Sequence, residues 1–172
     1  MTQFYGLVIA LWHQKASKRA DGIVLWDYHV ICIQKSGGDP PLVWDLDSSL
    51  PFPSPLASYV SETIRPSFQL FPDYLRLFRI VHAPIFLQCF ASDRRHMRDS
   101  DGNWSAEPPQ HEPIVAEDGT VNNLNEYFNI SAAEAMTDAS INSFKEAVFT
   151  QKYGVVIKEN QLEEIFSQIS LQ

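Results

Sequence analysis

Cysteine is scarce. The 172 residues hold two, Cys32 and Cys89, too few for a disulfide framework, so a reducing compartment is expected. Long apolar runs are missing as well: stretches such as Leu7–Trp12 fall far short of the roughly 20 residues that span a bilayer. Cations are outnumbered, 13 Lys and Arg against 21 Asp and Glu, for a net charge of −8. That balance argues against phosphate-mediated binding of nucleic acid, which needs clustered positive charge. Met1–Gly6 shows no cationic stretch ahead of an apolar one, so no secretory leader is read and a cytoplasmic chain, with the nucleus as a second compartment and without membrane contact, is expected. No internal repeat or low-complexity tract is visible.

What is present is enough to fold. Apolar residues make up 45% and aromatics 12% of the chain, a composition that buries a core, and the length suits one domain, residues 1–172. Gln14–Asp21 is polar and reads as a solvated loop. Gly22–Lys35 carries the strongest strand signal, dense in β-branched and aromatic residues. The Ser36–Pro40 turn cluster follows, and Leu42–Leu46 returns as a second strand, which makes a hairpin. Prolines 51, 53 and 55 interrupt any regular element. A short helix is expected over Leu56–Ile64, a strand over Phe78–Ala83, and strand or helix over Ile85–Phe90, with Tyr74–Leu77 ambiguous. Ser92–Gly119 is a long loop rich in Asp, Pro, Gly and Ser. Two helices close the chain. Ser140–Tyr153 has Ser140 as N-cap and Ile141, Phe144, Val148 and Phe149 on its apolar face; Lys158–Ser170 presents Leu162, Ile165, Phe166 and Ile169. Strands early and helices late give an α+β chain with an antiparallel sheet.

The chemistry-bearing residues gather on the hairpin. Alternation along Gly22–Lys35 sets Asp27 and His29 on one face with Ile23, Leu25, Ile31 and Ile33. A three-residue turn over Ser36–Gly38 would put Lys35 opposite Asp39, and hence His29 opposite Asp45. A carboxylate facing an imidazole holds its tautomer and stabilises the imidazolium, as in a nucleophile–His–Asp triad; it also simply satisfies a core histidine. No nucleophile accompanies the pair. Cys32, three residues along the same strand, projects to the other face, and Cys89 sits in an apolar stretch as a small hydrophobe. A metal centre is a further reading of His29, Asp27, Asp45 and Asp47, with His82, His96 or His111 adding a ligand, but no Cys-x-x-Cys or His-Glu-x-x-His spacing supports it. Asp93, Arg94 and Arg95 read as a surface ion pair, a loop clamp, or a loop shaping a pocket.

Several motifs in order resemble one family. Trp26-Asp27-Tyr28-His29-Val30, Asp45-Leu46-Asp47, Leu50-Pro51-Phe52-Pro53, Phe90-Ala91-Ser92-Asp93-Arg94 with His96-Met97, Gly102-Asn103-Trp104 and Asn123-Leu124-Asn125 are similar to those of the protein N-terminal glutamine amidohydrolases, from about Leu11 to the C-terminal helices. The resemblance implies an α/β sandwich with a papain- or transglutaminase-like core and a Cys-His-Asp triad. It also implies a thiol amidase that converts N-terminal Gln of proteins to Glu with release of ammonia, feeding the N-degron route. Neither metal nor organic cofactor is implied, and a monomer is expected. The family's histidine falls on His29 and its aspartate on Asp45; Asp27, Asp47 and Asp93 are candidates for substrate contact. Its cysteine belongs to a helix upstream of these motifs, and Met1–Ala10 contains none. The expectation is therefore an N-terminally incomplete fold, with an inactive pseudoenzyme or truncated isoform as the alternative.

Overall fold

A computed structural model describes residues 8–66, 76–136 and 140–169. These group into two compact units, one of residues 1–78 with 157–172 and the other of residues 79–156. The architecture is α+β, with antiparallel pairing in the first unit.

In the first unit the expected strand Gly22–Lys35 is two strands, β2 (Val24–Trp26) and β3 (Cys32–Gln34), separated by irregular backbone from Asp27 to Ile31. Each has its own partner. The apolar run near the start forms β1 (Ile9–Leu11), which pairs antiparallel with β2, Ala10 opposite Leu25. β3 pairs with β4 (Leu42–Trp44), Ile33 opposite Val43. That register is two residues away from the one a three-residue turn would set. A slip of two keeps every side chain on its face, whereas a slip of one would have inverted them. The proline-rich segment, expected to be irregular, contributes a two-residue edge strand, β5 (Ser54–Pro55), against β4; an edge tolerates proline because no ladder donor is needed on the open side.

α1 (Leu56–Tyr59) runs directly into a π-helical turn, Val60–Ile64, so the expected helix Leu56–Ile64 is present with a widened second half. Leu56, Tyr59, Val60, Thr63 and Ile64 are buried, while Ser61 and Glu62 are exposed. This stripe packs in the unit that also buries Leu11, Trp12, Val43, Ile157, Leu162 and Phe166. Arg76 is buried there too. Its Nε lies 2.6 Å from a Glu159 carboxylate oxygen and its Nη1 donates to the Ala10 carbonyl at 2.9 Å, so the charge is paired where it is desolvated. The last helix begins later than expected: Val155–Lys158 is a strand, β7, before α5 (Leu162–Gln168).

The second unit contains α2 (Ala83–Cys89), which settles the strand-or-helix ambiguity of Ile85–Phe90, with α3 (Leu124–Phe128) and α4 (Ile141–Thr150). The strand expected over Phe78–Ala83 is β6 (Leu77–Ile80), at the division between the units. Phe86 and Phe90 stack at 4.6 Å, and Tyr127 meets both rings edge-on. Ser140 caps α4 as expected, accepting from the Ser143 amide. Phe149, expected on its apolar face, is instead 43% exposed and meets His82 edge-on at 4.5 Å. The loop Ser92–Gly119 is ordered by cations on carbonyls. The Arg94 guanidinium donates to the carbonyls of Pro109, His111 and Glu112, and Arg98 lies over the Trp104 ring at 4.1 Å.

Gly154 has φ +61°, and a Cβ built there would sit 1.9 Å from the Ile80 carbonyl oxygen. No backbone adjustment of a few tenths of an ångström relieves that. Gly154→Ala is expected to cost about 2–5 kcal/mol, summing a left-handed conformation and overpacking against backbone. Urea unfolding of the two proteins checks it through the midpoint difference.

Candidate active site: a buried carboxylate and its imidazole

The irregular stretch between β2 and β3 delivers His29, and the residue just past β4 delivers Asp45. Both are interior, His29 with 8% and Asp45 with 2% of its side chain exposed. Nε2 of His29 lies 3.0 Å from Oδ1 of Asp45. The ring is turned so that Nε2 makes no straight hydrogen bond to that oxygen, and the two groups meet in close contact. The imidazole also lies 5.2 Å from the Trp26 ring, centre to centre, inclined by 30°. The other ring nitrogen, Nδ1, is turned away from Asp45 by the covalent geometry of the ring.

Asp45 is held from four directions. Oδ1 also accepts the Asp47 amide at 2.9 Å, an Asx-type turn. Oδ2 accepts the Tyr59 hydroxyl at 2.8 Å and Gln14 Nε2 at 3.2 Å. Burial alone would raise this carboxyl, but the neighbouring His29, then Tyr59 and Gln14, outweigh it and hold the group well below the usual carboxylate range. Tyr59 moves the opposite way: burial first, and then the Asp45 charge, push its hydroxyl far above the ordinary tyrosine value, so it remains a donor at every physiological pH.

Gln14 is placed by local pairing. His13–Lys15 runs beside Asp47–Ser49, with the Lys15 amide on the Asp47 carbonyl at 2.7 Å and the Ser49 amide on the His13 carbonyl at 2.8 Å. The loop expected over Gln14–Asp21 is exposed from Lys18 to Asp21, but Gln14 itself is buried. Neither Gln14 nor Tyr59 was singled out from the sequence. Tyr59 had one signal, its position on the buried stripe of the expected Leu56–Ile64 helix.

Of the three candidates for substrate contact, Asp47 is exposed and close: among the described residues, donor atoms of His29, Asp45 and Asp47 lie within 4.8 Å of one another. Asp27 is exposed at the bend after β2. Asp93 belongs to the other unit, where Arg95 pairs with its carboxylate. The cluster suits a metal ion poorly, because three hydrogen bonds already occupy Asp45 and the His29 ring crowds its remaining acceptor position at 3.0 Å. Cys32 is exposed and Cys89 half-buried, both as free thiols. A cavity of about 300 Å³ shares Gln14 with this cluster, but neither His29 nor Asp45 lines it. The arrangement can take up and return one proton at an imidazole backed by a fixed anion, which is the equipment of a general base.

The family model for N-terminal glutamine amidase matches residues 6–166. A protein N-terminal glutamine amidohydrolase of Arabidopsis thaliana is 59% identical over 163 residues, covering 94% of this chain and 73% of the relative. That of Oryza sativa subsp. indica is 54% identical over 164 residues, with 94% and 70% covered. That of Drosophila melanogaster is 40% identical over 143 residues, with 83% and 68% covered.

Because the Asp45 carboxyl is depressed on folding, its contribution to stability is present above the unfolded value of about 3.9 and is lost as pH falls toward the folded one. Asp45→Asn is expected to cost about 2–3 kcal/mol at pH 7, the scale of hydrogen bonds to a charged group. Urea unfolding at pH 7 and pH 3 should show that difference narrowing in acid.

Proposed function

Because the chain belongs to the N-terminal glutamine amidase family, we propose that it hydrolyses the side-chain amide of glutamine at the N-terminus of proteins, giving glutamate and ammonia. The observation that carries this reading is the interior His29–Asp45 pair, built from motifs inside the matched span. His29 is the general base and acid, and Asp45 its orienter, in a Cys-His-Asp triad. A thiolate adds to the carboxamide carbon, and the imidazolium gives its proton to the departing ammonia as the C–N bond breaks. His29 then takes a proton from water, the resulting hydroxide attacks the thioester, and the thiol and the glutamate side chain are released. Water is the only co-substrate, and no cofactor or metal enters.

The thiolate, by the resemblance, comes from the family cysteine upstream of these motifs, and the present chain supplies the base and its orienter. Asp47, exposed beside His29, is the best-placed of the candidate contacts for the substrate's α-ammonium. The product, an N-terminal glutamate, is a residue that the N-degron route reads. Two free cysteines suit a reducing cytoplasmic setting, and a monomer suffices for the chemistry.

The test is ammonia release from a Gln-starting peptide by the chain joined to the family's cysteine-bearing segment. His29→Ala should lower kcat/KM by about 10³-fold, the scale of general acid–base catalysis. A His29→Ala protein as active as its parent would reject the reading.

A further inference from the structure

The two oxygens of Asp45 do different work. Oδ1 faces His29 at 3.0 Å, whereas Oδ2 is occupied by Tyr59 at 2.8 Å and Gln14 at 3.2 Å. We infer that Tyr59 and Gln14 are positioning residues that act on His29 through Asp45, by fixing the carboxylate plane and drawing part of its charge onto Oδ2. The inference concerns the same pair as the proposed function but does not depend on turnover.

Three observations carry it. First, both donors are committed. Gln14 Nε2 faces two acceptors, Asp45 and the Trp12 carbonyl at 3.4 Å, so exchanging its nitrogen and oxygen would lose both contacts. The amide's orientation is thereby set, even though its Oε1 is buried without a donor. A buried acceptor left unpaired costs free energy; its retention indicates that the nitrogen's contacts are the ones the site requires.

Second, the two donors arrive on separately anchored segments. Gln14 is held by the backbone pairing of His13–Lys15 with Asp47–Ser49. Tyr59 ends α1, where the helix widens into the π-helical turn, a feature that often marks functional positions. The Trp12 amide donates to the Thr63 carbonyl at 3.1 Å, which ties the two segments together.

Third, a carboxylate bearing only its Oδ1 contacts would concentrate its charge toward the imidazole. A hydrogen bond to one oxygen withdraws charge from the other. An imidazolium facing an untempered buried carboxylate gives up its proton less readily, and a base that keeps its proton cannot serve as one. Tyr59 and Gln14 thus set how strongly Asp45 grips the proton on His29.

The test is an NMR titration of the His29 ring in the full chain. Asp45→Asn, which removes the facing charge, supplies the reference and should move the midpoint down. Tyr59→Phe and Gln14→Met should each move it up, by about half a unit. Thr63→Val is the structural control: Thr63 is fully buried in the same helical segment, and its substitution should leave the midpoint in place. An unmoved midpoint in both Tyr59→Phe and Gln14→Met, or a downward shift like that of Asp45→Asn, overturns the inference. If Tyr59→Phe does not fold, Gln14→Met decides alone. Turnover of Gln-starting peptides plays no part in this readout, so the proposed function can fail while the inference stands, and the reverse.

Discussion

One carboxylate organises the first unit. Asp45 accepts from the segment before β2, from the end of α1 and from the turn after its own strand, and its remaining contact is the imidazole delivered between β2 and β3. A buried anion with fewer partners would protonate or draw in water. With this set it stays ionised, and every partner is fixed relative to the others. The placement of His29 is therefore a consequence of how Asp45 is satisfied, more than of strand pairing, since the backbone at His29 is not in a ladder at all.

The second unit uses the same economy with the signs reversed. Arg79 donates to the carbonyls of Tyr127, Asn129 and Tyr153 and pairs with Glu134, and Arg94 gathers three carbonyls of the long loop. A guanidinium presents five donors in a fixed fork, so one side chain can satisfy several backbone groups that no helix or strand does. That is how Ser92–Gly119 stays ordered with so little regular structure of its own.

Much of this was legible from residue order, and the failures have physical causes. The hairpin, the Leu56–Ile64 helix and the Ser140 cap follow from alternation, capping chemistry and turn residues, whereas His29 meets Asp45 without the continuous strand and the register from which that contact was expected. The register was off by two because loop length, not side-chain pattern, sets it, and a two-residue slip leaves the pattern unchanged. The break between β2 and β3 was hidden by residues that favour strands throughout. β1 and β7 are three and four residues long, too short for a period to declare itself. Gln14 and Tyr59 reach Asp45 across 31 and 14 positions, and no local spacing encodes contacts at that range. Among the site residues, the resemblance supplied roles for His29 and Asp45, while the geometry alone supplied their supports.

The central claim is that His29 and Asp45 act as one coupled unit in the interior. A double-mutant cycle on unfolding free energy at neutral pH, using Asp45→Asn and His29→Gln singly and together, measures that coupling directly. A coupling energy of about 1 kcal/mol or more is expected for groups in contact within one network. Single effects that add to within about 0.5 kcal/mol would mean the two residues are independent, and would contradict it.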